Sequence, residues 1–264
     1  MGSPPVIEAV TSLAYIGAMT QRPSRRIALD GAVNFRYCGG YQTPEGPVAW
    51  GRLFRSDSLS YLSDDDHDTI RSIGLNTVFD LRTAEELELG RFPVEHIDVD
   101  FHHLPLIERL NDPEDFKVTN SLIRDSYITM LDEAAQHFVR AFHILSEGSA
   151  WPVVVHCAAG KDRTGVIVAL LLGSVGVSDD DIVHDYTLTQ EILVDLRAKI
   201  LERHPEWEET VIRRDENNDF GAPAENMHNF LTVVEERWGS IPNYLRAIGI
   251  SEAQLEAVAS NLLV

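Results

Sequence analysis

The β-branched run Val153-Val154-Val155 leads into His156-Cys157-Ala158-Ala159-Gly160-Lys161-Asp162-Arg163-Thr164-Gly165, and the apolar stretch Val166 to Leu172 follows at once. A short apolar run, a turn containing Gly160 and a second strongly apolar segment read as a buried strand, a loop and a buried helix. That unit sets the terms for the rest of the chain. The amides of the loop and of the first helical turn converge on one spot, and the helix dipole adds positive potential there, so the spot takes an anion.

Cys157 stands at the start of this cradle, where fixed positive potential stabilises a thiolate and readies a nucleophile. Six residues on, Arg163 closes the loop with a planar guanidinium whose paired donors match two equatorial oxygens of a phosphoryl group. Ala158, Ala159, Gly160, Lys161, Thr164 and Gly165 complete the substrate-binding loop. The Thr164 hydroxyl is expected to hydrogen-bond the cysteine sulfur and ease its departure when water cleaves a phosphoenzyme. A lone cysteine is by default a buried apolar thiol. Here His156, Gly160 and Thr164-Gly165 surround it, with strand and helix in the right places, and the combination specifies phosphoryl transfer to sulfur.

The form His-Cys-x-Ala-Gly-Lys-Asp-Arg-Thr-Gly resembles the cysteine-dependent protein tyrosine phosphatases and, within them, the bacterial PtpB/LipA-type enzymes, which also act on phosphoinositides. The resemblance implies an α/β fold with a mostly parallel central sheet flanked by helices. It also implies Cys157 as nucleophile, Arg163 as phosphate binder, and Lys161 and Asp162 as the residues that set the subgroup apart, with no metal or other cofactor required. Asn34-Phe35-Arg36-Tyr37-Cys38-Gly39-Gly40 is similar to the family's Asn-Phe-Arg-Asp-x-Gly-Gly, and Arg55-Ser56-Asp57 has its usual form; Tyr37 stands where the family has an aspartate. The likeness is clearest over residues 33 to 190. It implies a helical lid over about 190–230, where the bland alternative is a peripheral helical pair.

A chain of 264 residues suffices for one large α/β domain, taken as 1–264. Its 22 basic against 42 acidic residues, a formal net charge of −20, oppose nonspecific binding to nucleic acid or to an anionic membrane. Any anionic substrate must then be drawn by a local positive site. Two cysteines, Cys38 and Cys157, make no disulfide framework, and no His/Cys cluster has metal-ligand spacing. The longest apolar run, near Val166 to Val177, is too short for a membrane span, and no leader pattern is apparent, so a cytoplasmic location is expected. Met1-Gly2-Ser3 resembles a myristoylation start, but Val6 breaks the match.

Along the chain, residues 1 to 28 read as an irregular lead-in. Ser63 with Asp66 caps a helix that Gly74 stops, ahead of a strand over Asn76 to Leu81. Thr83 to Glu86 matches a capping box, Asp98 to Leu106 is a strand, and Ser121 to Ser146 is one long helix or a broken pair, with Tyr127, Met130, Leu131, Phe138 and Phe142 as core. Ser178 opens a helix expected to run to His204, carrying the apolar stripe Ile192, Leu196 and Ile200. Glu206 to Phe220, with Asn217-Asn218, reads as irregular. Helices are then expected from Ala224 to Trp238, from Pro242 to Ala247 and, capped by Ser251 with Gln254, to the end.

Two carboxylates compete for the general acid. Asp162 lies in the loop within reach of a leaving oxygen and, with the subgroup resemblance in its support, is the favoured acid. Asp80 ends a strand, where side chains line the crevice of an open α/β sheet, and acts either as acid or as the group that orients Arg163; a structural ion pair is an equal alternative for Arg82 but the lesser one for Asp80. The reaction expected is hydrolysis of phosphotyrosine, extending to phosphoserine, phosphothreonine and phosphoinositides, through a cysteinyl phosphate. The alternatives are an enzyme acting mainly on phosphoinositides, a non-catalytic phosphate-binding protein, and a sulfur- or arsenate-transferring enzyme. Partners are therefore phosphorylated proteins or lipids. Cys38 is expected to trap an oxidised Cys157 as a disulfide.

Overall fold

The computed structural model describes residues 24–108, 120–216 and 221–264. The failed myristoylation match at Met1-Gly2 and the pair Asn217-Asn218 lie outside the described residues. Among those described, strands β1 (Arg36–Tyr37), β2 (Leu53–Ser56), β3 (Thr77–Asp80), β4 (Asp100–His103) and β5 (Val153–His156) form a sheet in the order β1-β2-β5-β3-β4. Only β1 runs antiparallel to its neighbour. The described end of the lead-in is paired with the body, since the Ile27 amide donates to the Phe35 carbonyl and the Tyr37 amide to that of Arg25.

The three valines of β5 are buried on both faces, as a central parallel strand requires. Val153 and Val155 join Leu53 and Phe79 in the larger apolar core, while Val154 joins Phe54 and Val78 in the smaller one on the opposite face. The period of two along each strand thus sorts side chains between two helical layers.

The expected caps form. Helix α1 (Asp64–Ile73) opens on the reciprocal Ser63 and Asp66 box and ends at Gly74, whose φ of 70° suits glycine. Helix α2 (Ala84–Glu88) opens on the Thr83 and Glu86 box. The 121–146 region resolves into a pair, α3 (Asn120–Glu133) and α4 (Ala135–Leu145). After β5 comes α5 (Asp162–Ser174), buried from Arg163 to Leu172. A helix apolar all round belongs inside a domain, and this one is the centre of the larger core.

The expected helix from 178 to 204 is broken. It becomes α6 (Asp179–Thr187), a 3₁₀ segment over Leu188–Ile192, and α7 (Leu193–Arg203). The cause lies 149 positions earlier in the chain: Arg36 donates 3.0 Å to the Asp185 carbonyl and 3.1 Å to the Thr189 hydroxyl, taking the carbonyl that a continuing helix would offer to residue 189. The segment expected to be irregular contains α8 (Glu208–Glu216), with acidic residues in its first turn and Val211 buried against Leu193. Helices α9 (Ala224–Trp238), α10 (Ile241–Ala247) and α11 (Glu252–Leu262) follow the expected bounds closely. No helix among the described residues is long and apolar enough to cross a membrane.

Candidate active site

Cys157 follows the carboxyl end of β5, and the loop it opens runs directly into the first turn of α5. Each loop carbonyl from 158 to 161 is engaged from outside. Ala158 accepts from the Ser58 amide at 3.0 Å, and Ala159 from Asn34 Nδ2 at 3.0 Å. Gly160 accepts from Arg55 Nη2 at 2.8 Å, and Lys161 from the same nitrogen at 3.3 Å and from the Gly165 amide at 2.7 Å. With the carbonyls bound outward, the amides are left for the concave side, which is what an anion cradle needs. Gly160 makes the turn possible: its φ is 66°, and a Cβ there would lie 2.4 Å from the Ser56 carbonyl oxygen.

Arg55 is itself held. Its guanidinium pairs with Asp185 of α6, both fully buried, and the Tyr41 hydroxyl donates to the same carboxylate at 3.1 Å. Burial works against the Asp185 charge, but Arg55 and Arg36 outweigh it and hold the carboxyl below its usual range. The sequence reading missed Asn34, Arg55 and Asp185 as loop anchors, although the first two lie in the stretches that carried the resemblance.

Arg163, in the first turn of α5, gives both outer nitrogens to Glu86, Nη2 meeting Oε1 at 2.9 Å. Burial opposes its charge, yet the neighbouring Cys157 sulfur and Glu86 raise its pKa further. Glu86 was read from the sequence only as a helix cap. It does both: Oε2 also accepts from the Thr83 amide at 2.8 Å.

Among the described residues, the hydrogen-bond partners of Asp80 do not include Arg163. Its carboxylate is bonded to Arg82, with Oδ2 at 2.6 Å from Nη2 and Oδ1 at 2.9 Å from Nε, and lies 3.5 Å from His156 Nε2. Burial would raise its pKa, but His156 and Arg82 bring it down to about 2. Burial also lowers the His156 pKa, so at neutral pH the counter-charge is that of Arg82. The ion-pair alternative describes this geometry.

Asp162 is half-exposed, and its Oδ1 accepts from the Tyr127 hydroxyl at 2.7 Å. Lys161 Nζ lies 3.5 Å from Asp162 Oδ2 and donates to the Gly221 carbonyl at 3.0 Å. The expected bond from Thr164 to the sulfur is not formed, and its buried hydroxyl has no partner among the described residues. Gly165 lets Tyr186 approach α5, since a Cβ there would lie 3.0 Å from the ring.

Cys157 is only 2% exposed. Ile192 and Leu196, with Ile200, pack on Val33 and on Ala159 of the loop itself. Cys38 is buried at the far end of the sheet. It sits opposite Leu53, whereas Cys157 follows the partner of Ser56, two strands over. At about 4.8 Å per strand and 3.3 Å per residue the two lie roughly 16 Å apart, beyond any disulfide without rearrangement. Tyr37, in place of the family's aspartate, packs its ring on Phe54 with centroids 4.8 Å apart.

Residues 27–264 match the model of a family described as the tyrosine phosphatase family. The chain is 32% identical to the triple specificity protein phosphatase PtpB of Mycobacterium tuberculosis, over 89% of this chain and 98% of that protein. It is 27% identical to a tyrosine-protein phosphatase of Nostoc commune, over 79% of this chain and 73% of that one. Among solved structures, the Siw14 catalytic core aligns with a TM-score of 0.38 at 14% identity, covering 73% of this chain and 96% of that one, a likeness too loose to carry an argument.

Proposed function

The chain belongs to the tyrosine phosphatase family, and from that premise we propose that it hydrolyses phosphotyrosine in two steps through a phosphate carried on Cys157. The thiolate attacks phosphorus as the bond to the tyrosyl oxygen breaks, and Asp162 gives that oxygen its proton. Arg163 and the loop amides hold the equatorial oxygens as charge develops on them. Water then attacks phosphorus, Asp162 takes up the water's proton, and the sulfur leaves as a thiolate. The unpaired Thr164 hydroxyl is available to the charge gathering on that sulfur. What carries the proposal is the loop: its carbonyls are turned outward by Ser58, Asn34 and Arg55 while Cys157 and Arg163 stand at its two ends.

Asp162 is preferred to Asp80 as the acid because Asp80 is fully buried in its pair with Arg82. Asp162 also widens the substrate range. A carboxylic acid built into the loop accompanies every substrate that reaches the cradle, including alkyl phosphates, whose oxygens leave as stronger bases than a phenol and depend more on protonation. The M. tuberculosis relative is named a triple specificity protein phosphatase. Phosphoserine and phosphothreonine are proposed here as secondary substrates. The curated relatives are named as protein phosphatases, which favours a phosphoprotein over a phosphoinositide as the principal substrate.

The region of about 190–230 is proposed as a lid on a single domain, supported by the packing of Ile192 and Leu196 on Ala159. A cytoplasmic location is proposed from two cysteines that are both free thiols. The test of the mechanism is Cys157→Ser beside Arg163→Lys on a phosphotyrosine peptide. The first should lose turnover and keep binding, and the second should lose most turnover, since a point charge cannot hold two oxygens. Turnover by purified Cys157→Ser at the wild-type rate would remove the cysteinyl intermediate.

A further inference from the structure

Asp162 is not alone. The Tyr127 hydroxyl of α3 lies 2.7 Å from its Oδ1 and 3.1 Å from the Tyr186 hydroxyl of α6, and Asn226 Nδ2 of α9 lies 3.4 Å from that second hydroxyl. Three helices therefore converge on one carboxylate. With Asp162 as a carboxylate, the proton count along this chain has one solution. Tyr127 has a single hydroxyl proton, and the carboxylate, the strongest acceptor present, takes it. Tyr186 must then donate to Tyr127, which leaves the Tyr186 oxygen to accept from the Asn226 amide. Every donor points the same way, toward Asp162.

We propose that Tyr127 is a positioning residue for proton transfer, fixing Asp162 Oδ1 as an acceptor so that the transferable proton rides on Oδ2. Tyr186 and Asn226 orient Tyr127 in turn. The inference rests on Asp162 being the general acid and adds what holds that acid in register.

Burial, then the Asp162 charge, raises the pKa of both tyrosines, so both remain donors throughout the working range of the enzyme. Tyr127 is buried and its ring meets Phe230 edge-on at 6.2 Å, so the hydroxyl has little freedom to turn elsewhere. The other charged groups facing Asp162 are Lys161, 3.5 Å from Oδ2, and Arg163, whose own charge Asp162 supports. The proton that passes to the leaving oxygen sits on the oxygen that Tyr127 leaves open. A hydroxyl serving only to pack α3 against α5 would not care which leaving group the substrate carried.

The experiment compares Tyr127→Phe, Tyr186→Phe and Asp162→Asn on phosphoserine peptide and on p-nitrophenyl phosphate, across pH. Tyr127→Phe should lower kcat on phosphoserine roughly ten- to a hundredfold while the activated aryl phosphate falls less than about threefold. The alkaline limb of the phosphoserine profile should move to higher pH, because the donor that stabilises the carboxylate is gone. Tyr186→Phe should move both readouts the same way by less. Proton NMR supplies an independent readout: a protected downfield hydroxyl signal should vanish in Tyr127→Phe and in Asp162→Asn alike.

Equal losses on the two substrates, or an unmoved alkaline limb, would overturn the positioning role. If Asp162→Asn leaves the ratio of the two substrates unchanged, the acid assignment itself fails. The NMR signal then still reports whether the Tyr127 to Asp162 bond exists, and a bond without catalytic consequence also overturns the proposal.

Discussion

Arg163 and Glu86, 77 positions apart, are joined through two parallel hydrogen bonds, guanidinium edge to carboxylate edge. The pair fixes the plane of the guanidinium, which Arg needs if it is to grip two phosphoryl oxygens at once.

Glu86→Gln should therefore lower kcat/KM on phosphotyrosine by about tenfold or more, because the plane of Arg163 is no longer set. It should also cost about 3 kcal/mol of stability at neutral pH, since a buried guanidinium loses its counter-charge. Burial raises the Glu86 pKa, but Arg163 lowers it further, and the net value lies below that of the free side chain. A depressed carboxyl contributes stability above its unfolded value and loses it as pH falls through the folded one. The gap between wild type and variant, followed by urea unfolding, should close below about pH 4.

Asp80→Asn should behave as a structural change. With its carboxyl brought down to about 2, Asp80 contributes about 2 kcal/mol above pH 4, lost as pH falls from there toward 2. Activity should fall equally on aryl and alkyl phosphates. Asp162→Asn should instead spare p-nitrophenyl phosphate and lose about a hundredfold or more on phosphoserine, with a flattened alkaline limb. Kinetics showing that signature for Asp80→Asn and not for Asp162→Asn would exchange the two assignments.

Ile192 and Leu196 rest on Val33 and on Ala159, two residues beyond Cys157. A double change of Ile192 and Leu196 to Ser should speed alkylation of Cys157 by a bulky maleimide at least about tenfold, in protein whose circular dichroism is unaltered. An unchanged rate would make the 190–230 region a peripheral helical pair.

Cys38 should be inert. Burial, followed by the Asp185 charge, pushes its thiol far above the ordinary cysteine value, and it lies on the antiparallel edge away from the loop. Mild peroxide followed by non-reducing peptide mapping should yield no peptide linking Cys38 to Cys157. Recovery of that peptide from folded protein would mean that the sheet opens at β1.

The legible parts of this chain are the local ones. The strand, loop and helix around Cys157 are contiguous, and the caps at Ser63, Thr83 and Ser251 are decided by side chains three residues apart. What the residues do to one another across the chain was not legible. Tyr127 sits at core spacing on its helix, and nothing local distinguishes a hydroxyl that reaches Asp162 from one that reaches water. Glu86 carried a sufficient local explanation as a cap, which hid its bond to Arg163. The break after Asp185 needed Arg36, delivered by a strand that a local reading has no means to place beside α6. Cys38 was misplaced for the same reason: two cysteines near loop-like stretches say nothing about which end of the sheet each occupies.

The outward engagement of the 158–161 carbonyls has a bearing on transplantation. The signature residues do not contain the instructions for their own curvature; Ser58, Asn34 and Arg55 do, with Asp185 behind them. A graft of residues 156–165 onto another strand and helix would carry the nucleophile and the guanidinium but leave the peptide planes free to rotate. Those planes would present oxygen as readily as nitrogen to an arriving anion. Borrowing this chemistry means borrowing the second strand, the segments that carry Asn34 and Ser58, and the sixth helix along with the loop.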